Sequence, residues 1–298
     1  MHGYSNIWRW RNPDELYHYG IKGMKWGVRR TKEQLAHDRY SIEARAARKF
    51  GKPFYISNGV LVKGLSIHAL DRTQDPTRQV TLEGLLDALQ MLDVIDVSRW
   101  QGTIDWKKVK ASGKVGGVMI RAVSTKSGQL YVDPCFEANY AGAKSVGLPV
   151  GVYAYTVAVT EGMAKKELNL LKTCLEGKSF ELPIAMDVED PRLKSLPAAE
   201  LTKLVKMELR EIEKWGLYAI LYTYSNFADY NLNMWQLNDF DLWLADYRNK
   251  RPTRKHGMWQ YSSKGKVAGV SGVVDMNHVY KDYPSIIAKA GLTSVKGA

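Results

Sequence analysis

Short apolar runs, each stopping at acidic or aromatic residues, constrain the fold of this 298-residue chain more than any other feature. The clearest run, from Leu182 to Met186, stops at two carboxylates, Asp187 and Glu189. Helical patterns separate the earlier runs. The predicted strands span residues 94–97, 117–123, 150–155, 182–188, 218–224, 242–246, 257–261 and 273–276, and the predicted helices span 134–146, 160–175 and 197–215. Alternating strands and helices predict a closed α/β barrel, in which the chemistry gathers where the strands end.

The pair of acids after the fourth predicted strand has the spacing of a catalytic site. Side chains two residues apart on a strand share a face, which places the Cα atoms of Asp187 and Glu189 about 6.6 Å apart. Like charges at that distance resist double ionisation. We therefore expect one carboxyl to keep its proton toward neutral pH and to serve as a general acid, while its partner stays ionised.

Four short motifs in a fixed order carry a family resemblance. They are DVSRWQG with Asp96, the D-x-E of Asp187 and Glu189, WQYSS with Trp259, and VDMN with Asp275. In this order and spacing, residues 92–285 resemble glycoside hydrolase family 25, the lysozymes of the Chalaropsis type that are common among phage endolysins. The resemblance implies a modified TIM-like β/α barrel of about eight strands, with incomplete helices in its later half.

The resemblance also implies catalytic roles for four acids. Glu189 corresponds to the general acid, and Asp187, Asp96 and Asp275 correspond to the other catalytic positions around the cleft. For the second role in hydrolysis we favour the 2-acetamido group of the substrate as nucleophile, oriented or charge-balanced by Asp187, with retention of configuration. A direct carboxylate nucleophile, Asp187 or Asp275, is the alternative.

Aromatic and cationic residues at strand ends are candidates for sugar binding, because aromatic rings stack on the apolar faces of sugars. The candidates are Arg121, Tyr155, Tyr222, Tyr224, Trp259 and Tyr261. Arg121 ends the run GVMIR within the second predicted strand, where relatives commonly carry Lys, so a cation facing the cleft is kept. The following turn, STKSG at 124–128, departs from the acidic residue and Gly of many relatives, which affects one substrate subsite and not the catalysis.

The first third of the chain differs from the rest. We divide the chain into a basic segment, 1–91, built as helix, β-hairpin and helix in a small α+β unit, and a catalytic barrel, 92–298. Asn58 and Gly59 predict the hairpin turn. Residues 1–90 hold 15 Lys and Arg against 9 Asp and Glu, which is +6 of the total formal charge of +12. Such a field favours anionic partners, including nucleic acid, lipid or bacterial wall polymers.

Together these features predict a muramidase that cleaves the β-1,4 bond between N-acetylmuramic acid and N-acetylglucosamine in peptidoglycan. The alternative is a non-catalytic wall-binding or virion structural protein on a lysozyme-like scaffold, suggested by residues 15–30, which resemble a short prophage-associated motif. Nucleic-acid binding would rest on charge alone, since no DNA or RNA module is recognisable.

Cofactors and membrane insertion are not expected. Two cysteines and six scattered histidines give neither a disulfide framework nor metal-ligand spacing, so we expect no metal and no other cofactor. The N-terminus lacks the apolar core of a signal peptide, and no run approaches the roughly 20 apolar residues of a membrane helix. We therefore expect residence in the host cytoplasm until release to the wall, or association with a virion. The oligomeric state is left open.

Overall fold

The computed structural model describes residues 92–248 and 250–296, together with the backbone of four residues nearer the N-terminus. Contacts divide the chain into two compact units, Met1–Leu89 and Gln90–Ala298. In the first unit, strands β1 (Phe54–Tyr55) and β2 (Leu61–Val62) pair antiparallel on the two sides of Asn58 and Gly59. The helices predicted in this segment lie outside the described residues.

The second unit contains a closed barrel of eight strands. They are β3 (Leu92–Val97), β4 (Gly117–Lys126), β6 (Val150–Tyr155), β7 (Ile184–Asp187), β8 (Ala219–Tyr224), β9 (Asp241–Ala245), β10 (Met258–Gly265) and β11 (Val274–Val279). The barrel closes because β3 pairs with β4 on one side and with β11 on the other. Each of the eight predicted strands corresponds to one of these, which confirms the predicted TIM-like barrel.

The last strand runs opposite to the other seven. Seven strands run parallel to one another, namely β3, β4, β6, β7, β8, β9 and β10. Strand β11 is antiparallel to both of its neighbours, β10 and β3. The sequence predicted that Asp275 lies at the end of a strand. In the structure it is instead the second residue of β11. It still reaches the catalytic mouth, because reversal of the strand brings its beginning beside Asp96 near the end of β3.

A short hairpin extends the barrel wall beyond the second predicted strand. Strand β5 (Gln129–Val132) pairs antiparallel with the end of β4, and Lys126 is in register with Gln129. The two turn residues between them, Ser127 and Gly128, have φ angles of 50° and 78°. Positive φ at both positions is the geometry of a tight hairpin turn whose twist matches that of the strands. The STKSG segment is thus the tip of a hairpin.

Helices surround the barrel unevenly. They are α1 (Trp106–Ala111), α2 (Phe136–Ser145), α3 (Glu161–Leu175), α4 (Ala198–Lys214), α5 (Ser225–Asn231) and α6 (Tyr283–Ala290). The three long helices, α2 to α4, confirm the predicted ones. Helix α3 begins where the Thr160 side chain accepts a hydrogen bond from the Met163 amide, and α4 ends before Gly216, whose φ of 83° a side chain would strain. The connection from β8 to β9 contains the seven-residue α5 and a short 3₁₀ helix, Met234–Leu237, as expected for a barrel with incomplete later helices.

Two apolar cores hold the barrel together, because successive residues of a strand point to opposite sides of the wall. Inside the barrel, Val94, Met119 and Ile220 pack with Tyr283 and Ile287 of α6. Outside it, a larger cluster of buried side chains joins the strands to the helices. None of the helices in the described part of the chain is long and apolar enough to cross a membrane.

Candidate active site

A cavity of about 300 Å³ opens at the mouth of the barrel where the parallel strands end. It is lined by Asp96, Ser98, Trp100, Gln101, Arg121, Tyr153, Tyr155, Asp187, Glu189, Tyr222, Trp243, Tyr247, Gln260, Ser263 and Asp275. All four acids proposed from the sequence are among these residues. The fold therefore brings together side chains that lie up to 179 positions apart in the chain, from Asp96 to Asp275.

Strand β7 delivers Asp187 and Glu189 to this cavity on a firmly held backbone. The carbonyl oxygen of Asp187 accepts a hydrogen bond from the Thr156 amide at 3.1 Å, and the Val188 amide donates to the Tyr222 carbonyl at 2.9 Å. The Thr223 hydroxyl then donates to the Val188 carbonyl at 2.7 Å. These bonds tie the chain to both neighbouring strands beyond the end of β7, so the acids are fixed on a rigid element.

Asp96 and Asp275 are directly opposite each other on β3 and β11. Two amide side chains bind the same oxygen of Asp96: Gln260 Nε2 and Asn277 Nδ2 each lie 2.9 Å from Asp96 Oδ2. The amide oxygen of Gln260 accepts hydrogen bonds from the Tyr222 and Tyr247 hydroxyls at 3.0 and 2.6 Å. Asp96 is thus held by a buried polar network that continues across the barrel.

Burial dominates the electrostatics of the four acids. The pKa of Asp96 and that of Asp187 are raised well above their usual values, first by burial and then by neighbouring carboxylates. Burial also raises the pKa of Asp275. The pKa of Glu189 is raised to about 7 by burial, and next by the charges of Asp275 and Asp190. Burial and the repulsion between neighbouring carboxylates thus favour the protonated form of the acids in this cavity.

Ion pairs at the rim keep two further acids ionised. Asp190 accepts hydrogen bonds from the Nε and Nη2 of Arg192 at 2.7 and 2.8 Å, which lowers its pKa to about 2. Arg248 lowers the pKa of Asp246 to about 2 in the same way. Asp190 also accepts a hydrogen bond from the Tyr155 hydroxyl at 2.8 Å. These rim acids are paired anions, unlike the acids inside the cavity.

The candidates for substrate binding divide into two groups. Arg121, Tyr155 and Tyr222 line the cavity, and Arg121 is held there by Asp133, whose Oδ2 lies 2.8 Å from its Nε. Tyr224, Trp259 and Tyr261 are not among the lining residues. Tyr224 packs edge-on against Phe227, Trp259 donates its Nε1 hydrogen to the Asp246 carbonyl at 2.7 Å, and Tyr261 stacks on His278 at 4.0 Å.

Several residues of the cavity were not singled out from the sequence, notably Tyr153, Trp243, Tyr247 and Gln260. Tyr153 is two residues before Tyr155 on β6, so strand alternation places both on one face and could have identified it. Gln260 lies between Trp259 and Tyr261, on the opposite face of β10 from both. Within the described residues, no group of three or more His, Cys, Asp or Glu is arranged to hold a metal ion.

Comparison with known proteins fits this geometry. The model of glycosyl hydrolases family 25 matches residues 95–270, which is more than half of the chain. The chain belongs to glycosyl hydrolases family 25. It is therefore a glycoside hydrolase. A second model, a family of unknown function (DUF7211), matches residues 12–33.

Relatives of this glycosyl hydrolase cover the same part of the chain. A protein of Escherichia coli (strain K12) named Uncharacterized protein YegX is 34% identical over 190 residues, 61% of this chain and 67% of that protein. The Autolytic lysozyme of Clostridium acetobutylicum is 31% identical over 185 residues, 61% of this chain and 54% of that protein. The crystal structure of the bacterial lysozyme from Streptomyces coelicolor matches with a TM-score of 0.57 at 25% identity, covering 67% of this chain and 96% of that chain.

Proposed function

We propose that the mouth of the barrel hydrolyses the β-1,4 bond between N-acetylmuramic acid and N-acetylglucosamine in peptidoglycan, with Glu189 as the general acid. The observation that carries this proposal is the environment of Glu189. It lies in a cavity with three further acids, and its pKa is raised to about 7. A carboxyl with that pKa holds a proton near neutral pH and can give it to the leaving oxygen.

Muramidase activity itself follows from membership of family 25 and from the lysozymes among the relatives. The protein is a peptidoglycan hydrolase that acts on the bacterial cell wall. The role of each acid is a further step, which we base on the cavity.

For the second catalytic role we propose assistance by the 2-acetamido group of the substrate, with retention. The support comes from Asp187, whose Oδ1 is buried and accepts no hydrogen bond from the described residues. An acetamido N–H reaching that oxygen would satisfy it and orient the acetamido oxygen toward the reacting carbon. A trapped glycosyl ester on Asp187 or Asp275, found by mass spectrometry, would rule out substrate assistance.

For binding of the glycan we propose Arg121, Tyr155 and Tyr222, because these three line the cavity. Tyr247 joins them, since its side chain is half exposed at the mouth and its ring is available for stacking on a sugar. The positions of Tyr224, Trp259 and Tyr261 do not support direct contact, and these residues instead pack behind the site.

The reaction is tested on purified Gram-positive walls. We expect release of reducing ends, and after borohydride reduction and acid hydrolysis these ends should be identified as muramic acid derivatives. Ends derived from glucosamine would indicate cleavage of the other glycosidic bond. Sustained wall binding with no new reducing ends would instead favour a non-catalytic wall-binding protein.

Two further proposals concern the N-terminal segment and the place of action. The excess of Lys and Arg in residues 1–90 supports binding to anionic wall polymers. The resemblance of residues 15–30 to a prophage motif supports a phage-encoded protein held in the host cytoplasm until release, or carried by the virion. We propose no nucleic-acid partner.

A further inference from the structure

The polar network behind Asp96 has a direction that side-chain chemistry alone determines. Trp243 Nε1 lies 2.7 Å from Asn277 Oδ1. An indole N–H can only donate, so the Asn277 atom that faces it must be the carbonyl oxygen. The Asn277 amide nitrogen is therefore on the opposite side, where its two hydrogens go to the Val94 carbonyl and to Asp96 Oδ2, each at 2.9 Å.

The side-chain NH₂ group of Gln260 donates to the same oxygen, Asp96 Oδ2. Its Oε1 lies within hydrogen-bond distance of the Tyr222 and Tyr247 hydroxyls, and its Nε2 lies 2.9 Å from Asp96 Oδ2. Asp96 Oδ2 thus accepts two amide hydrogens, which occupy both of its lone pairs. A proton bound to Asp96 must sit on Oδ1.

The other partner of Asp96 is Asp275, directly opposite on the neighbouring strand. Carboxyl groups on directly paired residues of neighbouring strands favour sharing one proton, because two buried anions repel each other. Asp96 is 5% exposed, whereas Asp275 is half-buried and lines the open cavity. The negative charge is better hydrated on Asp275, and the proton then belongs to Asp96.

We infer that Asp96 and Asp275 share one proton carried on Asp96 Oδ1, with the charge on Asp275, and that Asn277 and Gln260 are positioning residues that occupy Oδ2 and so direct this proton to Oδ1. The pKa directions agree with this assignment. Burial, and next the charge of Asp275, raise the pKa of Asp96 well above its usual value. The charge of Asp275 is also among the causes of the raised pKa of Glu189. The inference rests on the proposed function only in taking Glu189 as the general acid.

Other titratable groups also face the pair. They are Asp187 at the end of β7, Glu189 beyond it, Arg121 on β4, Tyr153 on β6, Tyr222 on β8 and Tyr247 after β9. Arg121 is the cation of this group, and it is bound to Asp133. Among the neighbouring charges, that of Asp275 has the largest effect on the pKa of Glu189.

The test compares the same substitution at the two members of the pair. Carboxyl titrations are followed by carbon-13 NMR on the full-length protein without substrate. In Asp96→Asn, the new amide oxygen accepts from Gln260 and Asn277 and its NH₂ donates to Asp275, so it copies protonated Asp96 and Glu189 still titrates at about 7. In Asp275→Asn the neighbouring charge is gone, and the pKa of Glu189 falls by about one unit or more.

The reverse pattern, or equal shifts in the two variants, would overturn the inference. Because both titrations are read on the resting protein, they stand whether or not peptidoglycan is cleaved. Failure to release reducing ends would count against the proposed function alone, and reversed titrations in an active protein would count against this inference alone.

A second variant tests the positioning role. Gln260→Met removes one donor to Asp96, so the pKa of Asp96 should rise further. In the Asp96→Asn protein, adding Gln260→Met should leave the pKa of Glu189 unchanged. If Gln260→Met instead shifts the pKa of Glu189 equally in the wild-type and Asp96→Asn proteins, its effect is merely structural and the positioning role is overturned. If Gln260→Met does not fold, Tyr247→Phe removes one hydroxyl from Gln260 and should raise the pKa of Asp96 by a smaller amount.

Discussion

At the scale of single residues, the pKa of about 7 at Glu189 predicts the pH dependence of hydrolysis. A general acid works only while it is protonated. Turnover should therefore be highest below pH 7 and should fall as the pH rises through about 7. The measurement is the rate of reducing-end release from soluble glycan fragments between pH 4 and pH 9. An alkaline limb near the usual pKa of a Glu, about 4.3, would contradict the assignment.

Glu189→Gln should abolish hydrolysis without unfolding the protein, because the amide is nearly isosteric but has no acidic proton to give. We expect a loss on the order of 10²-fold or more in kcat. Glu200→Gln, an exposed substitution on α4, serves as the control and should retain wild-type turnover. Normal turnover of Glu189→Gln with an unchanged melting temperature would remove Glu189 from the role of acid.

The spacing of the two acids on one strand end predicts that Asp187 raises the pKa of Glu189. In the structure, burial is the largest cause of that shift and the charges next in order are those of Asp275 and Asp190. Asp187 is not among these causes, although its own pKa is raised well above the usual value, first by burial and next by Glu189.

Asp187→Asn should therefore reduce turnover while moving the alkaline limb less than Asp275→Asn does. The pH–rate profiles of the two variants, recorded on the same substrate, provide the comparison. If the alkaline limb moves further in Asp187→Asn than in Asp275→Asn, then Asp187 raises the pKa of Glu189, as the sequence predicted.

The lining of the cavity differs from the residue-level prediction where that prediction depended on which face of a strand points inward. In WQYSS, Trp259 and Tyr261 share one face of the strand and Gln260 lies on the other. The two aromatic residues were chosen as candidates for sugar binding because aromatic rings stack on sugars. The cavity instead receives Gln260, because Trp259 and Tyr261 pack against His278 outside it. A short strand does not reveal its inward face when both faces carry polar and aromatic residues. The acids of β7 were identified because the preceding run is apolar on both faces.

At the scale of elements, a buried polar cluster joins helices α3 and α4 to the end of β6. The Thr156 hydroxyl donates to Glu167 Oε2 at 2.5 Å and accepts from the Ala158 amide at 3.2 Å. The same hydroxyl is also a donor to Glu208 Oε1 at 3.3 Å, so two buried carboxyl groups share one hydroxyl hydrogen, and a proton on Glu208 would relieve the repulsion between them. Burial, and next the charge of Glu167, raise the pKa of Glu208 well above its usual value.

This proton makes stability depend on pH. The folded protein binds it more tightly than the unfolded chain, in which a Glu titrates at about 4.3. The stabilisation is complete below that value and is lost as the pH rises through the folded-state pKa. Glu208→Gln cannot ionise, so its melting temperature should fall less than that of the wild type between pH 5 and pH 8, by about 2 °C or more. Glu200→Gln should follow the wild-type curve.

Element prediction succeeded for long periodic segments and failed for short ones. Helices α2, α3 and α4 have 10, 15 and 17 residues, enough to show an apolar face. Helices α1, α5 and α6 have 6, 7 and 8 residues, and β5 has four, so neither periodicity nor capping distinguished them from loops. The reversed direction of β11 was not predictable, because an apolar run reads the same for a parallel and an antiparallel strand.

At the scale of the whole molecule, the division between a basic segment and the barrel predicts the effect of truncation. Deleting residues 1–90 should leave cleavage of small soluble fragments intact, because each proposed catalytic residue lies at Asp96 or beyond. Activity on whole walls should fall, most strongly at low salt, where the net charge of +6 attracts wall anions before ions screen it. The measurement is the ratio of whole-wall to soluble-fragment activity against ionic strength.

Solubility and melting temperature of the truncated protein are measured first. An insoluble or strongly destabilised product would mean that the second predicted helix of the basic segment supports the barrel. A folded product with an unchanged activity ratio at every salt concentration would refute a wall-targeting role for the segment.

The pairing of β3 with β11 also determines when the enzyme can become active during its synthesis. These strands hold Asp96 and Asp275, and they are the first and last strands of the barrel. A chain still emerging from the ribosome has made the first strand long before the last. Long-range pairing of this kind forms late, once the intervening elements have been made. A nascent or prematurely ended chain therefore lacks both the closed barrel and half of the acid pair. We therefore expect hydrolase activity only from chains whose translation has passed Val279, the last residue of β11.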